Sequence, residues 1–358
     1  IFSNVSVKEV TGQSVVPESG CGSWLFEPQS TNLITQSELF SDAYWTKIGA
    51  SVVGGFISPS GGLNAFKLVE DTSTGVHILF RSGNVFVSGQ DYSYSFFAKR
   101  NGRSQILVKA GSTSTFGVNA IFDLQNGTSV STVGTSNIQL LSNEWYKCSV
   151  SGLAGSTVPT ELITYLYNGS QSYQGDGTSG VYIWGAMLEQ NSFSTSYIPT
   201  EGSTVTRNQD LCANGGTGTG LINSTEGTLY AEIAALADDL TNRIISLSNG
   251  TNSNIISVQF SNAQSNDIIS YYNATGQTGR VISTTSYNIK SFNKIALAWD
   301  NTSFKFYANG SLIGSSTITN PLASGVLNEL KFEYGGGGLT FFGKTKALAV
   351  WKEALSDQ

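Results

Sequence analysis

The amino-acid sequence predicts an all-β protein built from two tandem antiparallel β-sandwich (jelly-roll) domains. Charged residues make up only 12% of the 358 residues, against about 25% in an average soluble domain. Aromatic residues reach 11%, which suits packing across the pleated surface of a sheet. Short β-rich runs recur between turn residues, and the length fits about two domains of roughly 150 residues each.

Seven strands are predicted in the first half of the chain. The clearest contains Tyr92, Tyr94 and Phe96, which alternate with Ser93 and Ser95 in the period of two expected of a strand with one buried face. Asn-Gly and Gly-Gly pairs separate the runs and mark turns. The predicted strands cover 65–69, 92–99, 104–110, 118–123, 145–150, 162–167 and 181–189.

Eight strands are predicted in the second half, where the strongest local signal is a hairpin. Asn309 and Gly310 join two β-rich runs, which predicts a type I′ turn because both of its central residues need a positive φ. The segment 231–240 could form a helix on propensity. It is predicted as strand followed by loop, because a single helical pattern among strands is weak evidence for a helix. The predicted strands cover 228–233, 243–247, 255–260, 267–272, 293–299, 304–308, 329–334 and 345–351.

A Gly/Thr/Asn-rich stretch at 207–226 is predicted to be the linker between domains at 21–206 and 227–358. Residues 1–9 resemble residues 181–189, with an aromatic residue second and a Glu ninth in both. We therefore interpret residues 1–20 as the closing strand of a preceding, similar domain and a linker. The chain begins with Ile1, which suggests a piece of a longer protein.

Composition excludes two classes of partner. The net charge is −6, and the 19 Lys and Arg residues are scattered, whereas nucleic-acid binding needs a basic cluster. No apolar run approaches the roughly 20 residues that span a bilayer, so membrane insertion is not expected.

The three cysteines do not form a disulfide framework, because their number is odd. Cys148 lies within a predicted strand and is predicted to be a buried small hydrophobic residue. Cys21 and Cys212 bracket the first domain, so a disulfide between them is one alternative. Free thiols are the other, and folding in a reducing cytoplasm favours them.

The sequence carries few residues suited to catalysis. His77 is the single histidine, and activated Ser or Cys nucleophiles normally need a neighbouring base; we predict a structural or surface role for it. No Cys or His group has zinc spacing, and the glycine run 335–338 lacks the Lys-Ser/Thr of a phosphate loop. Acidic residues at 238, 239, 329 and 333 are interpreted as solvent-facing charges. No catalytic residue is therefore predicted.

Glycan binding is easier to support, because sugars stack their C–H faces on aromatic rings while polar groups bond their hydroxyls. The candidates lie on a strand face, in the loop that follows it, beside Trp45 and at a strand end in the second domain. The alternative is that aromatic residues on sandwich strands pack in the core. The candidate residues are Tyr44, Tyr165, Tyr167, Tyr173, Asp176, Tyr271, Tyr272 and Asn273.

An ordered set of motifs in the first half resembles domains of phage tail and other virion proteins, which are similar to carbohydrate-binding-module jelly rolls. It opens with Trp-Leu-Phe-Glu-Pro at 24–28 and extends over about residues 21–207. The resemblance implies that Trp45, Trp145 and Trp184 are packing residues. The other matching runs are 31–34, 43–47, 96–99, 143–148, 182–189, 195–200 and 204–207.

The second half resembles concanavalin-like, laminin-G-type sandwiches. The matching runs are 227–232, 294–299, 309–310, 342–344 and 348–357. Both resembled families often hold a structural calcium ion bound by oxygen ligands, and no other cofactor is expected. The resemblance implies as ligands Glu27, Glu70, Asp71 and Glu189.

Together these resemblances imply a non-catalytic phage virion appendage, namely a fibre, spike or capsid-surface protein that presents glycan-binding domains to the host. Its expected partners are host cell-surface glycans and other virion proteins, and its expected location is the virion surface, outside cells. A homo-oligomer, most simply a trimer, would add avidity to weak sites. Two alternatives stay open: a purely structural decoration protein of the virion, and the non-catalytic binding region of a secreted polysaccharide-degrading enzyme.

Overall fold

The computed structural model describes residues 22–110, 117–157, 159–212, 220–276 and 279–355. Strands account for 53% of the chain and helix for 1%, the helix being one 3-10 turn at Ser142–Glu144. The predicted all-β, antiparallel sandwich class is therefore confirmed. Across these residues no helix has the length and apolar character required to cross a membrane.

Seventeen strands precede residue 209. They are β1 (Trp24–Phe26), β2 (Ser30–Asn32), β3 (Thr46–Ile48), β4 (Ala50–Phe56), β5 (Ala65–Glu70), β6 (Thr74–Val76), β7 (Ile78–Val85), β8 (Asp91–Asn101), β9 (Gln105–Ala110), β10 (Val118–Asp123), β11 (Thr128–Val133), β12 (Thr135–Leu140), β13 (Tyr146–Leu153), β14 (Pro159–Tyr167), β15 (Ser172–Gln174), β16 (Gly180–Glu189) and β17 (Val205–Arg207).

Ten further strands follow. They are β18 (Gly227–Ala235), β19 (Arg243–Ser248), β20 (Ile255–Phe260), β21 (Ile268–Asn273), β22 (Arg280–Thr284), β23 (Asn293–Trp299), β24 (Ser303–Ala308), β25 (Ser311–Thr317), β26 (Glu329–Lys331) and β27 (Gly343–Trp351).

The chain divides into two compact units, which we call the N-terminal sandwich (29–208) and the C-terminal sandwich (22–28 with 209–355). The sequence-based boundary placed residues 21–28 in the first domain, but β1 pairs with β27, with Trp24 opposite Thr345. The backbone N–H of Glu27 also donates to the Asp210 carboxylate at 2.8 Å. A three-residue apolar strand carries no local sign of its partner, so its sequence could not show which sheet it joins.

Two predictions concern residues outside the described ranges. Residues 1–20 and Cys21 lie there, so the preceding domain and the disulfide between Cys21 and Cys212 stay predictions. β17 ends at Arg207 and β18 begins at Gly227, and the described part of the interval between them contains no strand.

The N-terminal sandwich consists of two six-stranded sheets. The β14 sheet has the order β11-β10-β9-β14-β7-β3, and the β8 sheet has the order β12-β13-β8-β16-β5-β4. Alternate residues of each strand face the core between them. Leu162 and Leu166 of β14 meet Tyr94 and Phe96 of β8 in this core, together with the fully buried Cys148. The predicted burial of Cys148 is thus confirmed.

A second aromatic cluster packs on the other side of the β8 sheet. Phe97, Trp145, Trp184 and Tyr197 are all buried there, with the Trp184 and Tyr197 ring centroids 4.6 Å apart. Gly185 has a φ of +64°, and a Cβ at this position would lie 2.9 Å from the Phe97 ring, so only glycine fits this bulge.

The tryptophan prediction is confirmed in both clusters. Trp45 is 2% exposed and belongs to the main core, while Trp145 and Trp184 are each 3% exposed. Each buried tryptophan ring contributes a large apolar area to its cluster. This packing role explains why these tryptophans belong to the motifs found in the sequence.

The C-terminal sandwich pairs a six-stranded with a five-stranded sheet. The β18 sheet has the order β1-β27-β18-β23-β24-β25, and the β21 sheet has the order β22-β21-β20-β19-β26. Leu229, Leu297 and Trp299 from the first sheet meet Val258 and Tyr272 from the second in one core. β24 and β25 form the predicted hairpin, and the φ angles of its turn residues, 49° and 84°, confirm the type I′ requirement.

Candidate functional site

The middle strand of the β14 sheet presents two tyrosines on the outer side of the N-terminal sandwich. Leu162 and Leu166 are buried in the core, so Tyr165 and Tyr167, which alternate with them, project from the opposite side. Ile163 shares that side, and all three outward residues are partly exposed. The spacing of two residues already predicted that the tyrosines share one face.

Strand register identifies the neighbours of these tyrosines. Tyr165 lies opposite Ile78 of β7 and Leu107 of β9, and cross-strand neighbours have Cβ atoms only about 5 Å apart. On β9, Gln105 lies opposite Tyr167, and Lys109 opposite Ile163. We call this surface the tyrosine face, which comprises Ile163, Tyr165, Tyr167, Gln105, Leu107 and Lys109.

Polar groups border the apolar centre of the tyrosine face. The Lys109 ammonium donates to the Gln171 side-chain oxygen at 3.4 Å, and the Tyr167 hydroxyl donates to the Gly169 carbonyl at 3.1 Å. Burial raises the pKa of Tyr165, and the charge of Glu161 raises it further. Its phenol therefore stays protonated at neutral pH and can donate a hydrogen bond.

Tyr173 and Asp176 hold the loop that follows β14. The Tyr173 hydroxyl donates to Glu70 at 2.7 Å. The Asp176 carboxylate accepts hydrogen bonds from the backbone N–H groups of Ser179 and Thr178 at 2.6 and 2.8 Å, and the bonds from Ser179 and Thr178 hold its pKa below the ordinary value. Both residues therefore shape the loop.

Glu70 is buried, and its carboxylate is saturated by protein donors. Arg103 donates to both oxygens, at 2.6 and 2.8 Å, and the Asp176 N–H and the Tyr173 hydroxyl supply two further bonds. Burial alone would raise the pKa of Glu70, but the bonds from Arg103, Tyr173 and Asp176 and the charge of Arg103 outweigh it, so the pKa is lowered.

His77, the single histidine, is fully buried. Its Nδ1 lies 2.6 Å from the Gly49 carbonyl and its Nε2 lies 3.3 Å from the Tyr173 carbonyl. Asp71 approaches Nδ1 at 3.5 Å. Both ring nitrogens thus face backbone acceptors, which fits the predicted structural role and leaves neither aimed at a nucleophile.

Glu189 is buried in a different place, among hydroxyl groups. One oxygen accepts bonds from the Ser30 and Thr195 hydroxyls, both at 2.5 Å, and the other accepts the Thr195 N–H at 3.0 Å. Burial raises the pKa of Glu189 despite these bonds and the nearby charge of Lys147.

The four predicted calcium ligands are distributed over both sandwiches. Glu27 belongs to the C-terminal sandwich and the other three to the N-terminal sandwich. The carboxylate oxygens of Glu70 and Glu189 accept hydrogen bonds from protein donors, as described above. Within the described ranges, no group of three His, Cys, Asp or Glu side chains could hold a metal ion. Calcium binding therefore stays a prediction.

The remaining predicted glycan residues have different surroundings. Tyr44 is partly buried between the Arg81 guanidinium, 4.3 Å from its ring centroid, and Trp45, at 5.4 Å. Tyr272 lies in the core at 1% exposure, with its hydroxyl accepting the Leu322 N–H at 3.0 Å. Tyr271 alternates with Tyr272 and is partly exposed on the outer side of the β21 sheet.

Sequence reasoning missed the β9 side of the tyrosine face. Gln105, Leu107 and Lys109 alternate along a strand that was predicted, so their common side could have been found from the period of two. Their pairing with Tyr165 and Tyr167 could not have been found from the sequence, because it depends on the register between β9 and β14.

Residues 209–358 match the sequence model of a family described as the concanavalin A-like lectin/glucanases superfamily. The match coincides with the main segment of the C-terminal sandwich. The C-terminal sandwich has a concanavalin-like fold. The predicted fold of the second domain is thereby confirmed. No curated protein matches the chain in sequence.

Several solved structures are similar to parts of the chain. The Ruminococcus gnavus IT-sialidase CBM40 is 21% identical over 37% of this chain and 79% of its own, with a TM-score of 0.33. The mouse laminin α1 domains LG4-5 are 10% identical over 86% and 92%, with a TM-score of 0.30. A Bacteroides ovatus protein titled a putative carbohydrate binding protein is 14% identical over 81% and 79%, also at 0.30. At these scores the likeness does not bear on function.

Proposed function

We propose that this protein is a non-catalytic adhesion protein whose N-terminal sandwich binds glycans on the tyrosine face. The observation that carries the proposal is the pair Tyr165 and Tyr167, side by side and partly exposed on the middle strand of a sheet. Rings fixed on a rigid strand lose little freedom on binding, which favours weak ligands such as saccharides.

The composition of the tyrosine face suits a sugar ring. Tyr165 and Ile163 supply partly exposed apolar area for the C–H face of a pyranose, and the aromatic ring contributes a polarised surface. Gln105 and Lys109 stand beside them as donors for hydroxyl groups. A lectin-type fold in the C-terminal sandwich is consistent with a protein that works at glycan-coated surfaces.

The non-catalytic part of the proposal rests on side-chain chemistry. Among the described residues of the N-terminal sandwich, the buried carboxylates are Glu70 and Glu189, and both are held by protein donors. Both ring nitrogens of His77 lie within hydrogen-bond distance of backbone carbonyls. Glycoside hydrolysis needs a pair of free carboxyl groups across the scissile bond, and neither glutamate is free.

We also propose the finer assignment, a trimeric phage appendage at the virion surface. Its support is the ordered set of virion-protein motifs, whose tryptophans Trp45, Trp145 and Trp184 the fold uses as packing residues. Light scattering of the purified chain should give a trimer mass, and mass spectrometry of purified particles should detect the chain. A monomer absent from particles would contradict this assignment.

The glycan proposal is tested with the full chain on an array of defined bacterial and host oligosaccharides. Wild type should bind a subset with millimolar-range affinity, and the double variant Tyr165→Ala/Tyr167→Ala should bind that subset at least about tenfold more weakly, a loss of about 1.4 kcal/mol. The double variant Tyr165→Phe/Tyr167→Phe is the matched control, because it keeps both rings for stacking and removes only the hydroxyls.

Three outcomes would contradict the proposal: a blank array, equal binding by the alanine variant, or equal losses in the alanine and phenylalanine variants. Incubating the bound oligosaccharides with the protein and analysing the products adds a separate check. Cleavage of any of them would show a glucanase-type activity and refute the non-catalytic part alone.

A further inference from the structure

Five Asn-Gly pairs lie in the described part of the chain, each at a strand end or in a turn between strands. In such a pair the glycine amide nitrogen can attack the asparagine Cγ, because glycine has no side chain to block the approach. The asparagine side chain must first turn back over its own peptide bond, so the fold decides which pair can react. The five asparagines are Asn101, Asn126, Asn168, Asn249 and Asn309.

Two of these asparagines have their side-chain nitrogen held by another residue. The Nδ2 of Asn101 donates to the Tyr182 hydroxyl at 2.9 Å, and the Nδ2 of Asn126 donates to the Asp123 carboxylate at 2.8 Å. The N–H of Gly127, which would have to attack Asn126, also donates to the Asp123 carbonyl at 2.9 Å. Both side chains must therefore give up a hydrogen bond before they can react.

Two further asparagines are held through the side-chain oxygen. The Oδ1 of Asn249 accepts the N–H and the hydroxyl of Thr251 at 3.2 and 2.6 Å. Asn309 is exposed, but its Oδ1 accepts the Lys294 N–H at 2.9 Å and its Nδ2 donates to the Asn293 oxygen at 3.0 Å. Exposure alone therefore does not free an asparagine in this fold.

Asn168 is the asparagine without such a restraint. It is exposed, as are Gly169 and Ser170, and its side chain makes no hydrogen bond to any described residue. Its backbone N–H donates to the Ser170 carbonyl at 3.3 Å. A Cβ at Gly169 would meet nothing within 4 Å, so there is open space at this glycine. The Asn168 side chain can turn towards the Gly169 nitrogen without losing a hydrogen bond.

We propose that Asn168 is a site of spontaneous covalent modification, at which water replaces the side-chain amide nitrogen. Solvent base takes the Gly169 amide proton, and the nitrogen bonds to the Asn168 Cγ while the Cγ–Nδ2 bond breaks and ammonia leaves. Water then opens the cyclic imide. Opening at the side-chain carbonyl gives aspartate, and opening at the backbone carbonyl gives isoaspartate.

Both products change the border of the tyrosine face. Each places a new carboxylate directly after Tyr167. Isoaspartate also lengthens the main chain by one methylene group before the Gly169 carbonyl, which accepts the Tyr167 hydroxyl at 3.1 Å. The reaction needs only the chain, solvent base and water, so it does not depend on the proposed function.

The experiment compares the folded full chain with the same chain unfolded in urea, both at one mildly alkaline pH. Peptide mass spectrometry follows the change from NH₂ to OH at each of the five pairs. In the unfolded chain the five should react at similar rates, because glycine follows every one of these asparagines. In the folded chain Asn168 should stay within about threefold of its unfolded rate, while the other four should slow at least about tenfold, since their hydrogen bonds must break first.

Gly169→Ala tests the attacking nitrogen. The added methyl group has room in the fold but hinders the approach of the nitrogen to Cγ, so conversion at Asn168 should slow at least about fivefold. Conversion that this variant leaves unchanged would show direct hydrolysis of the side-chain amide and overturn the proposed step. Asn168 slowed by folding as much as the other four, or faster conversion at any of those four in the folded chain, would overturn the assignment of the site.

Discussion

Glu70 and Glu189 are two glutamates of the N-terminal sandwich with nearly the same burial, 1% and 0% exposure, and opposite electrostatics. Glu70 meets a guanidinium that bonds both of its oxygens. Glu189 meets two hydroxyls and one backbone N–H. The pKa is lowered at Glu70 and raised at Glu189. Burial disfavours a charged carboxylate in both places, and a bonded countercharge reverses that effect only at Glu70.

The difference shows how each glutamate ties its segment to the sheets. Glu70 holds the loop after β14, because Tyr173 and Asp176 both bond its carboxylate. Glu189 ends β16 and fixes Ser30 and Thr195, next to the turn that covers the second aromatic cluster. One junction depends on a charge pair and the other on neutral hydrogen-bond donors, so they should respond differently to substitution and to pH.

Removing the guanidinium gives the largest expected effect. Arg103→Met leaves Glu70 buried without its cation, and breaking such a pair costs about 3 kcal/mol. The measurement is urea unfolding of the full chain followed by hydrogen exchange of peptides from β5 and β16, which isolates the N-terminal sandwich. The control is Arg100→Met, since Arg100 is 49% exposed and pairs loosely with Glu144 at 3.8 Å. The control should change stability by less than about 0.5 kcal/mol; equal losses in the two variants would contradict the prediction.

The pH dependence should have opposite signs at the two glutamates. The unfolded-state pKa of a glutamate is about 4.3. The folded pKa of Glu70 lies lower. The ionised Glu70 therefore contributes its full stabilisation above about pH 4.3, and this stabilisation is lost as the pH falls through the folded pKa. The folded pKa of Glu189 lies higher, so ionisation destabilises the fold at neutral pH, and stability is regained as the pH falls towards about 4.3.

Paired glutamine variants measure these two contributions. The stability difference between wild type and Glu70→Gln should shrink on acidification, while wild type should gain relative to Glu189→Gln over the interval above about pH 4.3. The measurement is the urea midpoint of β5 and β16 peptides between pH 3 and 7 for all three proteins. Parallel curves, or two differences that move in the same direction, would show that the two carboxylates do not differ as described.

The sequence could predict strands and turns wherever the signal was local. The β24–β25 hairpin follows from Asn309 and Gly310, and the strand β10 begins and ends at the predicted residues, Val118 and Asp123. Tyr271 and Tyr272 were both predicted to bind glycans, yet adjacent residues of a strand face opposite sides and Tyr272 lies in the core. The sequence could not show which of the two faces outward, because a shift of one residue in register exchanges the two faces.

Long-range pairings escaped the sequence for a different reason. Glu70 was predicted to bind calcium, and its partner Arg103 lies 33 residues away with no local pattern to join them. The loop that carries Tyr173 was predicted as irregular, yet Ser172–Gln174 forms a short strand paired with β6. Both contacts depend on the folded sheets bringing distant segments together, so the ion pair and the candidate surfaces needed the structure.

The smallest expected effect compares the hydroxyls of two tyrosines, one at the end of β14 and one in the loop that follows it. Tyr173→Phe removes a donor from the buried Glu70 carboxylate and should lower the stability of the N-terminal sandwich by about 1 kcal/mol. Tyr167→Phe removes a bond to the Gly169 carbonyl, which lies at an exposed turn and can bond water, so a loss below about 0.5 kcal/mol is expected. Hydrogen exchange of β14 and β5 peptides in urea measures both. If Tyr167→Phe proved the costlier change, the loop after β14 would depend on its own turn more than on Glu70.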